Sequence, residues 1–222
     1  MKIRNNEKGM SLLAVLAVMF IFALMLLAAA PGIQMEVQRE KELESIRRGE
    51  EIADAIKEYV DYYQGAKLPE SIDDLLEGIP AGTKKRMILR ESAAVDPLSD
   101  DGEWKLVSPT GSTFQSFARR VQQYNNGLLP STPDRFLNRY AVSLASVSLK
   151  SVEEDPKEPD ASDGDNVTGD IQFIGVTSSS RRRSVITYYG QENHSKWVFT
   201  PMFRGGQSGP QQRVGNIITS RD

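Results

Sequence analysis

One unbroken apolar run constrains this chain more than any other feature of its sequence. Between Met10 and Ala30, 20 of 21 residues are apolar. A helix rises about 1.5 Å per residue, so the run would span about 31 Å, close to the thickness of a bilayer core. Three basic residues precede it within residues 1–9, and such a flank stays in the cytoplasm. We therefore expect a transmembrane helix over residues 10–32, with the following chain on the far side of the membrane.

The rest of the chain is polar, so mean hydropathy is −0.40 even with this run included. No second stretch approaches the length of a span, which excludes a polytopic membrane protein. With 30 acidic and 27 basic residues the net charge is −3, and we therefore expect no nucleic-acid partner. There are no cysteines and one histidine, His194, which excludes disulfides, thiolate metal sites and multi-histidine metal sites.

The apolar run allows three interpretations. A cleaved secretory signal would have a shorter apolar core, and Pro31 would obstruct a cut after Ala28–Ala30. An uncleaved signal anchor is the second interpretation. The third rests on the junction itself, because a charged leader ends in Lys8-Gly9 and the apolar run starts at once with Met10.

This junction resembles the class III signal of type IV pilins and type II secretion pseudopilins. The resemblance implies a leader over residues 1–9, cleavage after Gly9 by a prepilin peptidase, and methylation of the new amino terminus at Met10. It also implies a helix kink at Pro31, 21 residues past that terminus. The family usually carries a glutamate four residues after the first mature residue, whereas this chain has Ala14. Some minor pseudopilins share that departure, so the resemblance leaves major and minor subunits open.

A second helical pattern follows between Ile33 and Tyr63. Apolar residues recur at one-turn intervals along one face, namely Ile52, Ile56, Tyr59, Val60 and Tyr63. The opposite face is mostly charged. We expect an amphipathic helix that continues the apolar one after an interruption at Pro31-Gly32.

The order of elements after this helix resembles the G-type pseudopilin domain. Leu68-Pro69 leads into a short helix over residues 70–76, a basic cluster over 84–90, the turn Asp96-Pro97 and a strand from Trp104. The resemblance implies an α+β, pilin-like fold in which the long N-terminal helix packs on a small antiparallel sheet.

The remainder is divided by composition and periodicity. Apolar spacing predicts a helix over residues 115–124 and a second helical candidate from Phe136 to Tyr140 or beyond. Eight acids within residues 153–170 predict a disordered loop. Three apolar segments predict strands that form a meander: 171–177, 185–189 and 197–199. The predicted divisions are 1–9 leader, 10–32 transmembrane helix, 33–107 amphipathic helix and start of the domain, 108–170 insert, 171–204 antiparallel strands and 205–222 flexible tail.

Calcium is the one cofactor that the sequence suggests. G-type pseudopilins bind calcium near the Asp-Pro turn, and the hard oxygens that calcium takes are present here in Asp96, Ser99, Asp100 and Asp101. Asp163 and Asp165 could add ligands. A solvated acidic turn is the simpler alternative.

Little in the sequence indicates an enzyme. His194 lies in the polar segment Glu-Asn-His-Ser, which predicts a surface histidine, and no Gly-x-Ser-x-Gly motif precedes it. The run Arg181–Arg183 predicts a solvated hairpin tip or a patch that faces a partner.

Taken with the resemblance, these features predict a non-enzymatic pseudopilin-like subunit anchored in a bacterial inner membrane, with its domain in the periplasm. The implied partners are the prepilin peptidase, other pseudopilins and the inner-membrane secretion platform. The alternative is a signal-anchored periplasmic binding or regulatory domain that does not polymerise, and an anchored enzyme is a third possibility.

Overall fold

The computed structural model describes residues 7–132, 134–140 and 172–204, without the side chains of residues 7–10 and 26–33. The chain divides into two compact units, Met1–Glu40 and Lys41–Asp222. The predicted acidic loop over residues 153–170 and the predicted tail over residues 205–222 lie outside the described residues, as does most of the predicted leader.

The first helix, α1, runs from Glu7 to Tyr62. It continues through Pro31 and Gly32, so the predicted interruption at those residues is absent from the helical assignment. A proline removes one backbone donor, and the helix on either side keeps its own hydrogen bonds. A bend at Pro31 stays a prediction. Across the described residues, none of the helices combines the length and the apolar character needed to cross a membrane.

In the first unit, the apolar side chains of α1 face outward. Eleven large apolar residues between Leu12 and Met25 are each 49–70% exposed. An apolar surface of this extent on a helix marks an interaction surface, either with lipid or with other protein.

In the second unit, the remainder of α1 is the spine of the core. Ile52, Ile56, Tyr59 and Val60 are buried, which confirms the predicted apolar stripe. Gly49 lies on the same face, where a Cβ atom would come within 2.3 Å of the Phe199 ring. The absence of a side chain at Gly49 thus allows that ring to pack directly on the helix.

The short helix α2 runs from Ile72 to Glu77 and confirms the predicted short helix. Ser71 caps it: the Asp74 N–H donates to Ser71 Oγ at 3.2 Å, and the Ser71 N–H donates to Asp74 Oδ2 at 3.3 Å. This reciprocal arrangement is a capping box, which the pattern Ser-x-x-Asp encodes locally. Leu75 then points into the core.

Seven short strands form three antiparallel sheets in the described residues. The first sheet is a hairpin of β1 (Ile79–Ala81) and β2 (Lys84–Arg86). The second has the order β3-β4-β7, with β3 at Trp104–Val107, β4 at Gly175–Ser178 and β7 at Val198–Phe199. The third pairs β5 (Arg183–Tyr188) with β6 (Gln191–Asn193).

The meander predicted for the three C-terminal segments is wrong in its pairing. Strand β4 lies between β3 and β7, whereas β5 pairs with β6 in a separate sheet. The segment between the second and third predicted strands contains β6, and the basic cluster at residues 84–90 contains β2. Periodicity locates an apolar strand, but it does not reveal that strand's partner or a polar strand such as β6.

The helix α3 runs from Ser112 to Tyr124 and confirms the helix predicted there. Phe114, Phe117 and Val121 are buried on its inner face. The other helical candidate is helical at residues 138–140, and its continuation lies outside the described residues.

Two acids meet where α1 ends. Asp134 Oδ1 accepts the Phe136 N–H at 2.7 Å, and its carboxyl group shares a hydrogen bond with Asp61 near the end of α1. Burial, followed by this hydrogen bond and by the charge of Asp134, raises the pKa of Asp61 to about 6. Lys57 and Arg135 oppose the shift. The folded protein therefore binds a proton at Asp61 more tightly than the unfolded chain does.

We expect the free energy of unfolding to fall as the pH rises through about 6, because the native pKa of Asp61 lies above its ordinary value of 3.8. Its contribution is complete below about pH 4 and is lost above about pH 6. Asp61→Asn should flatten this part of the profile, since an amide donates to Asp134 at every pH. Urea unfolding between pH 4 and 7.5 measures the effect, with the exposed Asp73→Asn as the control. An unchanged profile in Asp61→Asn would contradict the assignment.

Candidate functional site: a buried polar network beside a cleft

A buried carboxylate on α1 is the centre of a polar network in the described part of the second unit. Glu42 is fully buried. Its two oxygens accept the Val185 N–H at 2.9 and 3.0 Å, and Oε2 also accepts the Ile186 N–H at 2.8 Å. Glu42 therefore ties the start of the domain helix to β5.

His194 is a further hydrogen-bond partner of this carboxylate. Its Nε2 lies 2.9 Å from Glu42 Oε1, and its Nδ1 lies 3.3 Å from Ser180 Oγ. The imidazole is 1% exposed and makes an edge contact with Trp197 at 5.1 Å between ring centroids. The prediction of a surface histidine is wrong, because the partner that allows this polar segment to be buried lies far away in sequence, on α1.

The contact with Glu42 bears on the proton of His194 Nε2. A carboxylate can only accept, so Nε2 carries the proton that faces Glu42. Nδ1, the other ring nitrogen, lies within hydrogen-bond distance of the Ser180 hydroxyl. The three side chains form one directed series from the cleft to the interior.

A second buried carboxylate supports the neighbouring loop. Asp96 Oδ2 accepts from Ser178 Oγ at 2.6 Å, and Oδ1 accepts from the Leu98 N–H at 3.0 Å and from Ser45 Oγ at 3.4 Å. Burial raises the pKa of Asp96, although these hydrogen bonds oppose the rise. Ser178 Oγ also accepts the Ser180 N–H at 3.1 Å, which holds the backbone of Ser180 in place.

The network borders a surface cleft with a volume of about 310 Å³. The cleft lies between the segment after Asp96 and the segment after β4. Ser99 Oγ lies 2.6 Å from Ser179 Oγ across it, and Arg182 Nη2 lies 3.3 Å from Asp100 Oδ1. The lining residues are Leu98, Ser99, Asp100, Asp101, Ser179, Ser180, Arg181 and Arg182.

The cleft brings together three of the four residues predicted to bind calcium. Ser99, Asp100 and Asp101 line it, whereas Asp96 lies in the interior with both oxygens engaged by protein donors. In the part of the chain that the structure describes, no three acidic or histidine side chains cluster as a metal site would require. Calcium takes six to eight oxygen ligands, and Asp100 is already paired with Arg182. Calcium binding stays a prediction.

Sequence reasoning missed Glu42 and Ser45. Both are in register with the buried stripe, since residues 42, 45, 49, 52 and 56 fall on one face of a helix. That spacing was the available signal for a buried acid. The processing residues Gly9 and Met10 lie near the start of α1, and Pro31 lies within it.

Comparison with known proteins places one further constraint on the N-terminal segment. Residues 4–30 match the family model of the prokaryotic N-terminal methylation motif. This match supports a type IV pilin-like prepilin signal, which implies processing by prepilin peptidase and assembly with other pilin-type subunits. No match was found among curated proteins or among solved structures.

We expect Glu42→Gln to lower the free energy of unfolding by about 2 kcal/mol or more, because the amide nitrogen would face donors that the carboxylate now satisfies. The exposed Glu40→Gln is the matched control and should change it by less than about 0.5 kcal/mol. Urea unfolding of the full chain in detergent, followed by tryptophan fluorescence, measures both. Equal stability of the two variants would contradict the role given to Glu42.

Proposed function

We propose that the protein is a pseudopilin-like subunit that assembles through its N-terminal helix into a periplasmic filament of a type II secretion or type IV pilus-like machine. The observation that carries the proposal is the methylation motif over residues 4–30, which coincides with the start of α1. A prepilin peptidase cuts after Gly9, and the mature chain begins at methylated Met10.

The surface of α1 supports assembly through this helix. The eleven apolar side chains between Leu12 and Met25 are exposed, and none of the residues from Met10 to Ala30 carries a charged side chain. Before assembly, lipid of the bacterial inner membrane covers this surface. In the filament, the same surface packs against the helices of neighbouring subunits.

The second unit supports the pilin-like part of the proposal. It is an α+β domain whose core is built on the C-terminal part of α1, consistent with a pilin-like fold. Other pseudopilins and the inner-membrane secretion platform are its proposed partners. Ala14 removes the carboxylate that pilins usually carry in the apolar segment, which favours a minor subunit.

Processing provides the first test. The mature protein should begin at N-methylated Met10, and Gly9→Val should leave the leader attached, because the larger side chain blocks the peptidase. Intact-mass measurement on membrane fractions, with and without the peptidase, decides the question. A terminus at Met1 in the wild type, or a cut near Ala30, would instead support a signal-anchored domain.

Assembly provides a second test. The sequence has no cysteine, so any disulfide within this protein must involve the introduced residue. A single Val18→Cys variant should form disulfide-linked oligomers in oxidised native membranes, because Val18 is 66% exposed on the proposed packing surface. Partner pseudopilins carrying a cysteine at the equivalent depth extend the test to mixed assembly. Asp73→Cys, exposed in the domain, is the control. Equal crosslinking of the two variants, or none with any subunit, would contradict filament packing through α1.

A further inference from the structure

Three side chains form a series that the assembly function does not require. Ser180 lies on the cleft, while His194 and Glu42 are 1% and 0% exposed behind it. The serine oxygen is 3.3 Å from Nδ1 of the imidazole, and Nε2 is 2.9 Å from the carboxylate. A hydroxyl, an imidazole and a buried acid in this order are the parts of an activated serine.

The hydrogen bonds fix the roles of the three groups. Glu42 is held by two backbone N–H groups of β5 and keeps the imidazole oriented, so it is a positioning residue. His194 Nδ1 faces the serine oxygen at 3.3 Å. The Arg182 N–H approaches Ser180 Oγ at 3.5 Å. Such contacts shorten when a substrate is bound.

We propose that Ser180 is a nucleophile toward small carboxylic esters, with His194 as its general base. Ser180 Oγ forms a bond to the carbonyl carbon while its proton passes to Nδ1. The bond to the leaving alcohol breaks, and the alcohol departs with that proton. Water then attacks the acyl-serine in the same way, with its proton passing through Nδ1, and this step releases the acid and restores the hydroxyl.

The surroundings of Ser180 suit this chemistry. A volume of about 310 Å³ admits an ester of few carbon atoms. Ser179 lies on the same wall but is paired with Ser99 and lacks the imidazole, so it provides an internal comparison.

The test uses a fluorophosphonate probe on the full chain in detergent. The probe transfers its phosphonyl group to an activated serine oxygen and releases fluoride. Peptide mass spectrometry should place the label on Ser180. The wild type should carry at least ten times as much label as Ser180→Ala, and Ser179→Ala should carry as much label as the wild type. Turnover of p-nitrophenyl acetate should follow the same order. Near-UV circular dichroism checks that both variants are folded.

A variant of the positioning residue separates an activated serine from one that is merely exposed. Glu42 on α1 and Asp96 before β3 are the carboxylates that act on His194 in the described structure. Glu42→Gln should weaken labelling of Ser180 in the folded fraction, because the amide would not hold the imidazole as the carboxylate does. The proposal would be overturned if the wild type were labelled no faster than folded Ser180→Ala, or if Ser179 and Ser180 were labelled equally. Ser180, His194 and Glu42 would then have a purely structural role.

Discussion

The folded domain depends on the buried carboxylate of Glu42 on α1. A charged residue on a helix is ordinarily exposed to solvent. Glu42 has no access to solvent, so its desolvation must be offset by the Val185 and Ile186 N–H groups and by His194. Removal of any of these donors would leave a buried charge without its full set of partners. The helix and the β5-β6 sheet therefore hold each other in one arrangement.

Two further polar ties follow the same helix face. Ser45 donates to Asp96, which in turn holds Ser178 at the end of β4. Glu50 accepts from the Tyr188 hydroxyl at 2.5 Å and pairs with Arg204, which also bridges to Asp54. Between these ties, Gly49 lets the Phe199 ring contact the helix backbone. Each contact joins α1 to a strand or loop distant in sequence, so α1 organises the domain by polar contacts as well as by its apolar stripe.

The same helix has a different character in each unit. In the first unit its apolar side chains are exposed, whereas in the second unit its apolar stripe is buried and its charged residues other than Glu42 are partly or fully exposed. The continuous helix α1 therefore provides two things: a surface suited to packing against neighbouring helices, and the central helix of a folded domain's core. The cleft beside Ser180 is built from the loops after Asp96 and β4, so chemistry at the cleft and assembly through the apolar surface make separate demands on the chain.

Local information determined much of what this sequence could be expected to form. The apolar run and its glycine junction indicated the prepilin signal, and one-turn periodicity located the buried stripe of α1 and the helix α3. The capping box of α2 is equally local, because its donors and acceptors lie within four residues. Each of these signals depends on the spacing of neighbouring residues, which the backbone geometry of a helix converts directly into a face or a terminus.

Only the tertiary structure decided which strands pair and which polar residues are buried. Pairing of β4 with both β3 and β7 depends on contacts between distant segments, which strand periodicity does not encode. His194 lies in a segment that reads as a surface turn, and it is buried because Glu42 and Ser180 satisfy its two nitrogens. A buried polar group is stable only when specific partners meet it in space, and those partners are known only once the chain has folded.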